Sequence, residues 1–116
     1  MANDLAERLL TYGASIVGLV EALPKTIAAN RIGDQLLRSG TSVGANYEEA
    51  QAAESRNDFT HKLQIALKEL RESHYWLRIL AKTAIMSGEK LEALTDEANQ
   101  LQAILSKAVV TAKKRK

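Results

Sequence analysis

Apolar and small residues recur at alternating intervals of four and three along one long stretch of the chain. This row consists of Phe59, Leu63, Ala66, Leu70, Ser73, Leu77, Leu80 and Ala84. Because residues three and four apart share one face of an α-helix, the row predicts a helix over residues 56–86. Ser55 precedes Asp58 by three residues, so its hydroxyl is expected to cap the helix by accepting from an early backbone N–H.

Three further rows with the same intervals predict helices over residues 3–22, 26–53 and 89–113. The first row runs through Leu5, Leu9, Tyr12, Ile16, Leu19 and Leu23. The last row runs through Leu91, Leu94, Ala98, Leu101, Leu105, Ala108 and Ala112. Each helix is therefore amphipathic, with one face available for a shared core.

The breaks between the rows predict how the helices are connected. Asn3 or Asp4 is expected to cap the first helix, Pro24 to end it, and Ser87 to cap the fourth. Four helices joined by three short links are typical of an all-α, antiparallel up-down-up-down four-helix bundle. We expect this bundle to occupy residues 1–113 as one domain, with a basic tail at residues 114–116.

The row of the second helix is interrupted by polar residues: Ile32, Leu36, Ser39, Val43, Asn46 and Ala50. A buried hydroxyl or amide without a partner costs about 1–3 kcal/mol, so Ser39 and Asn46 are expected to be hydrogen-bonded. Glu49, Glu69 and Glu72 are the candidate partners. Five of the six glycines fall in the first two helices, which predicts that these helices approach each other closely.

The run QLLRSGTSVGANYEEA, followed by DFTHKLQIALKELRE and YWL, resembles the four-helix-bundle proteins encoded by intervening sequences of bacterial large-subunit ribosomal RNA genes. That family is similar to the accessory variability proteins of diversity-generating retroelements. The spacing of Ser39, Ser42, Asn46 and Glu49 is part of the resemblance, and we interpret these four residues as a structural motif. The resemblance implies a homopentamer, no known catalytic residues, and nucleic-acid binding that is established only in the retroelement branch.

Composition narrows the class of protein further. The chain has 116 residues and no cysteine, which fits one domain and excludes disulfides, thiolate metal sites and a cysteine nucleophile. No run of 18 apolar residues occurs, and the first residues lack the pattern of a secretory signal. A cytoplasmic protein without membrane contact is expected.

The positive charge is concentrated in two places. Four of the 16 Lys and Arg residues form the C-terminal end: Lys113, Lys114, Arg115 and Lys116. The other 12 are outnumbered by the 14 Asp and Glu residues, so the rest of the chain is slightly acidic. The third helix carries a basic stripe with an aromatic residue in its middle, Lys68, Arg71, Tyr75, Arg78 and Lys82. Such a stripe suits a phosphate backbone with a base stacked on the ring. The alternatives are a solvated face, with Lys68 paired to Glu72, and a tail that only aids solubility.

Catalytic motifs are absent from the sequence. The one acid-x-x-His spacing, Asp58 to His61, lies at a helix start, whereas a di-metal bundle needs two Glu-x-x-His motifs and two further glutamates. There is no phosphate-binding glycine loop and no nucleophile elbow. We therefore expect no enzyme activity, no cofactor, no metal and no small-molecule substrate.

Three apolar residues, Ile65, Trp76 and Ile79, lie beside the row of the third helix, where a single bundle is not expected to cover them fully. They form either a widened core face or, for some of them, a contact between copies. We predict the contact between copies, since the resemblance implies a homo-oligomer. The sequence thus favours a non-enzymatic, self-assembling bundle that acts as an RNA- or DNA-associated accessory or scaffold. The alternative is a protein–protein adaptor without a nucleic-acid role.

Overall fold

The computed structural model describes residues 4–115 and contains four α-helices and no strand in this range. The helices are α1 (Asp4–Glu21), α2 (Ile27–Gln51), α3 (Arg56–Lys82) and α4 (Glu89–Lys114). Each helix packs against the next, and α1 packs against α4. The described residues therefore form an all-α fold, 47 Å long and about 23 Å wide.

Local side-chain chemistry explains where two helices begin. The Thr26 hydroxyl accepts from the Ala29 N–H at 3.1 Å at the start of α2. The Ser55 hydroxyl accepts from the Asp58 N–H at 3.0 Å, which confirms the predicted cap of α3. The predicted cap Ser87 is wrong, because Gly88 occupies the cap position of α4. Asn3 lies outside the described residues.

Helix α3 ends four residues earlier than the row of apolar positions predicts. Ala84 has a φ of 58°, a left-handed conformation that a continuing helix excludes. Its side chain is exposed rather than part of the core. Helix α2 likewise ends two residues early, whereas α4 continues to Lys114 and so includes the first residue of the expected tail.

The core consists of the inner faces of all four helices. The predicted rows of α1 and α4 are buried except for Leu5 and Ala108, which are half-buried. On α4, Val109 takes the place of Ala108, and on α3, Thr60 is more buried than Phe59. An α-helix has 3.6 residues per turn, so a strict four-three alternation drifts off the buried face at the helix ends.

Helices α1 and α2 run antiparallel and approach each other at glycines of α2. A Cβ added at Gly40 would lie 2.8 Å from the Ile16 side chain, and one at Gly44 would lie 3.4 Å from the Leu9 carbonyl oxygen. The predicted close approach is thus confirmed at these positions. It is wrong at Gly18 of α1, which has nothing within 4 Å of an added Cβ.

Candidate nucleic-acid interface

The five residues of the predicted basic stripe lie on the outer face of α3, and all are exposed. Three or four residues separate each from the next, so Lys68 and Lys82 are about 21 Å apart along the helix axis at 1.5 Å per residue. Tyr75, in the middle, has 50% of its surface exposed. The stripe is therefore a continuous, accessible surface.

The four cations of the stripe form no ion pair within residues 4–115. The expected alternative, Lys68 paired to Glu72, is not what the structure shows. Glu72 instead accepts from the Arg38 guanidinium and from the Trp76 indole N–H, the latter at 3.0 Å. The positive charge of the stripe is thus not neutralised by its own helix.

The carboxylates of α3 lie on its other flank, towards α2. Arg38 of α2 donates to Glu69 at 2.9 Å and also to Glu72. One end of the same flank carries Lys62, which donates to Glu49 of α2 at 2.9 Å and whose pKa this carboxylate raises. The cations of the stripe and the carboxylates of α3 therefore lie on two sides of one helix.

The stripe continues towards the start of α3 through residues that sequence reasoning missed. Asn57, His61 and Gln64 precede Lys68 at the same intervals of four and three, and all three are exposed. None of them is a carboxylate, so this outer face carries no acid over its length. The same spacing in the sequence places these three residues on the stripe, although none of them is a lysine or arginine.

Tyr75 is held beside another aromatic ring. Its centroid lies 5.3 Å from that of Trp76, with an interplanar angle of 70°, which is an edge-to-face arrangement. Because the Trp76 indole is hydrogen-bonded to Glu72, and Glu72 to Arg38, the neighbour of Tyr75 is fixed by side chains of two helices. The exposed ring is therefore supported on one side.

The tail and the predicted contacts between copies lie elsewhere. Lys113, Lys114 and Arg115 are exposed at the end of α4, and Lys116 lies outside the described residues. Ile65, Trp76 and Ile79 are each half-buried on the flank of α3 that faces α2.

Three of the four motif residues of α2 bond to their own helix rather than to carboxylates, and the fourth, Glu49, accepts from Lys62 of α3. The Ser39 and Ser42 hydroxyls donate to the carbonyls of Gln35 and Arg38, at 2.8 and 2.7 Å. The Asn46 amide donates to the Ser42 carbonyl at 2.9 Å and is only half-buried. The prediction of glutamate partners is wrong, because the helix offers each side chain a nearer carbonyl one turn earlier.

Residues 4–115 contain neither a metal-binding cluster nor a membrane-spanning helix. No group of three or more His, Asp or Glu side chains there could hold a metal ion. His74 is half-buried next to the stripe, and burial followed by the charge of Arg78 lowers its pKa. No helix in this range is long and apolar enough to cross a bilayer.

Comparison with known proteins agrees with this fold. Residues 4–107 match the family model described as 23S rRNA-intervening sequence protein. The chain belongs to this family. A crystal structure of a protein of unknown function from the S23 ribosomal protein family, from Bacteroides thetaiotaomicron VPI-5482, is 36% identical, with a TM-score of 0.83. The match covers 90% of this chain and 96% of that one. The curated proteins give no match.

The family gives this chain a fold and no established function. The solved neighbour is itself a protein of unknown function, and no catalytic family is indicated. The family name refers to an insertion in a ribosomal RNA gene and names no ligand of this chain.

Proposed function

We propose that this chain is a non-enzymatic, self-assembling bundle of the cytoplasm that binds nucleic acid along the outer face of α3. One observation carries the proposal: every residue of the stripe is exposed, its four cations form no ion pair among residues 4–115, and none of its residues is a carboxylate. A polyanion would neutralise this surface, and displaced counterions would drive the association. Tyr75 adds a ring on which a base can stack.

A row of cations fits a chain of phosphates better than it fits a compact anion. Neighbouring cations of the stripe are three to seven residues apart on one helix, or about 4.5–10.5 Å at 1.5 Å per residue. A small anion would contact one or two of them, whereas a strand that follows the helix axis would contact all four. Exposed phosphate contacts of this kind do not read sequence, so the expected binding is weakly specific.

Salt dependence tests the proposal directly. We expect binding of a fluorescent RNA or DNA oligonucleotide to weaken with salt, with a log–log slope near −0.7 to −0.9 for each phosphate contacted. Lys68→Glu with Arg78→Glu should abolish most of this binding. The matched control, Lys25→Glu with Lys90→Glu, changes the net charge equally at exposed positions that are not on α3 and should retain it.

Other outcomes would favour the adaptor reading. If neither RNA nor DNA binds at low salt, or if both charge variants weaken binding equally, the stripe is not a nucleic-acid site. A protein partner that the α3 variant loses would then support an adaptor. Single- and double-stranded forms of RNA and DNA belong in the same titration.

We propose further that copies of the chain associate as a homopentamer of up-down-up-down bundles. The support is the family resemblance, together with large apolar side chains that one bundle leaves exposed. Light scattering should give about five times the 12.7 kDa monomer mass, and a monomer at micromolar concentration would contradict it. Trp76 is the one tryptophan, so its fluorescence on dilution tests the predicted contacts at Ile65, Trp76 and Ile79.

A further inference from the structure

Three exposed apolar side chains of α1 and α2 share one surface, whereas Ile27, with 82% of its surface exposed, lies apart at the first residue of α2. Leu10, with 65% of its surface exposed, and Val17 lie on α1, and Leu37 lies on α2. Because Gly33 of α2 faces Val20 and Gly40 faces Ile16, the antiparallel register places Leu37 close to Val17. These residues and the four carboxylates described next are called the acidic face.

Carboxylates surround this apolar patch. They are Glu7, Glu21, Asp34 and Glu48. All four are exposed, and none forms an ion pair within the described chain. The exposed arginines of α2, Arg31 and Arg38, flank Asp34, and Arg38 is paired with Glu69 and Glu72 of α3. Carboxylates thus outnumber the unpaired cations around the apolar middle of this face.

The second half of α4 has the opposite charge. Ile104 and Val110 are exposed large apolar residues there, the latter with 52% of its surface accessible. Lys107 and Lys114 are exposed next to them and form no ion pair with any described residue. No acid occurs between residues 98 and 115. These four residues define the basic face.

We propose that the acidic face of one copy binds the basic face of a second copy. The proposal rests on the self-assembly proposed above, and it assigns the contact to these two faces in place of the flank of α3 with Ile65, Trp76 and Ile79. Two acidic faces would repel each other, as would two basic faces, whereas an acidic face and a basic face match in both charge and apolar character. A contact between two different faces leaves one of each free on every pair, so copies add head to tail until a ring closes.

The dimensions of the two faces agree. From Glu7 to Glu21 the acidic face extends about 21 Å along α1, at 1.5 Å per residue. From Ile104 to Lys114 the basic face extends about 15 Å along α4. The smaller face thus fits within the charged boundary of the larger one. The outer face of α3 belongs to neither, so an assembled ring still presents it to a ligand.

Single cysteines test the contact, because the natural chain has none. Val17→Cys and Ile104→Cys proteins are prepared separately and treated with a short bis-maleimide crosslinker, alone and as an equimolar mixture. The proposal expects a crosslinked dimer in the mixture and none in either protein alone. The chain that carries both cysteines should give a ladder of bands that stops at the number of copies in the ring.

Each other outcome overturns the proposal. A dimer formed by Val17→Cys alone would mean that like faces meet, and absence of crosslinks in the mixture would mean that these faces do not touch. Charge reversal gives a second readout: Glu7→Lys with Glu48→Lys should raise the dissociation constant between copies at least tenfold, with helix content unchanged by circular dichroism.

The α3 variant Lys68→Glu with Arg78→Glu separates this proposal from the nucleic-acid proposal. It should keep the crosslink and the oligomer mass while losing RNA and DNA binding. If the crosslink forms and no nucleic acid binds, the assembly surfaces hold and the nucleic-acid function fails. If nucleic acid binds and the mixture does not crosslink, the reverse is true.

Discussion

The hydroxyls of Tyr12 and Ser73 lie 2.7 Å apart in the core and join α1 to α3, two helices that are not neighbours in the fold. Ser73 also donates to the Leu70 carbonyl at 2.9 Å, so its proton is used there and Tyr12 is the donor of the shared bond. Burial raises the pKa of Tyr12 to about 12. The hydrogen bond between Tyr12 and Ser73 thus links two helices that lie diagonally opposite each other in the bundle.

Removing either hydroxyl of this pair should have unequal effects. Ser73→Ala leaves the Tyr12 hydroxyl, which is 1% exposed, without a partner, and should lower the free energy of unfolding by about 1–3 kcal/mol. Tyr12→Phe leaves Ser73 bonded to Leu70 and should cost about 1 kcal/mol or less. Urea unfolding measures both values. If Tyr12→Phe lowers the free energy of unfolding more than Ser73→Ala does, the Ser73 hydroxyl needs the tyrosine as its hydrogen-bond partner.

Two glycine replacements should shift stability in opposite directions. A Cβ at Gly40 would meet two carbons of the fully buried Ile16 at 2.8 and 2.9 Å, so Gly40→Ala should cost about 1–3 kcal/mol. Gly18→Ala meets nothing and should gain up to about 1 kcal/mol from helix propensity. Thermal unfolding followed by circular dichroism compares the two. Shifts of the same sign would contradict the packing described between α1 and α2.

Asn46→Leu should change the free energy of unfolding by less than about 0.5 kcal/mol or increase it. The amide is half-buried, and the carbonyl to which it donates lies in the hydrogen-bonded interior of α2. Replacement therefore leaves no buried group unpaired. Chemical denaturation gives the value, and a loss above 1 kcal/mol would restore the specific structural role that the sequence suggested.

Stability should fall as the pH falls below 6.5, in part through His74. Burial lowers its pKa in the folded chain, so between that value and the ordinary 6.5 the unfolded chain binds more protons and is favoured. The stabilisation is present above pH 6.5 and is lost as the pH falls through the folded-state pKa. His74→Gln should flatten the dependence between pH 7.5 and 5.5 in urea unfolding. An unchanged slope would show that the imidazole is solvated.

The helices could be predicted because each contains its own periodic row and boundary signals. What could not be predicted depends on contacts between distant residues. Glu69 and Glu72 were expected to accept hydrogen bonds from Ser39 and Asn46 of α2. Instead, Arg38 of the same helix α2 binds both carboxylates. The long, charged guanidinium satisfies two carboxylates at once, and short polar side chains bond locally instead.

The buried face of α2 shows the same limit on a finer scale. A strict four-three pattern placed Asn46 in the core, whereas Tyr47 is buried there. The glycines bring α1 close on that side and turn the buried face towards it.

The basic stripe could be predicted from the sequence because all of its residues lie on one helix. The acidic face could not, since it combines residues of two helices whose register is set only by folding.

Because α3 lies diagonally across the bundle from α1, the acids of α1 and the free cations of α3 give the molecule an electric dipole moment across its short axis. A particle with such a moment is turned by the field of a polyanion before contact, so its cationic side arrives first. A productive encounter then needs less random reorientation than its elongated shape would otherwise demand. Transient electric birefringence of a monomeric variant would measure this moment.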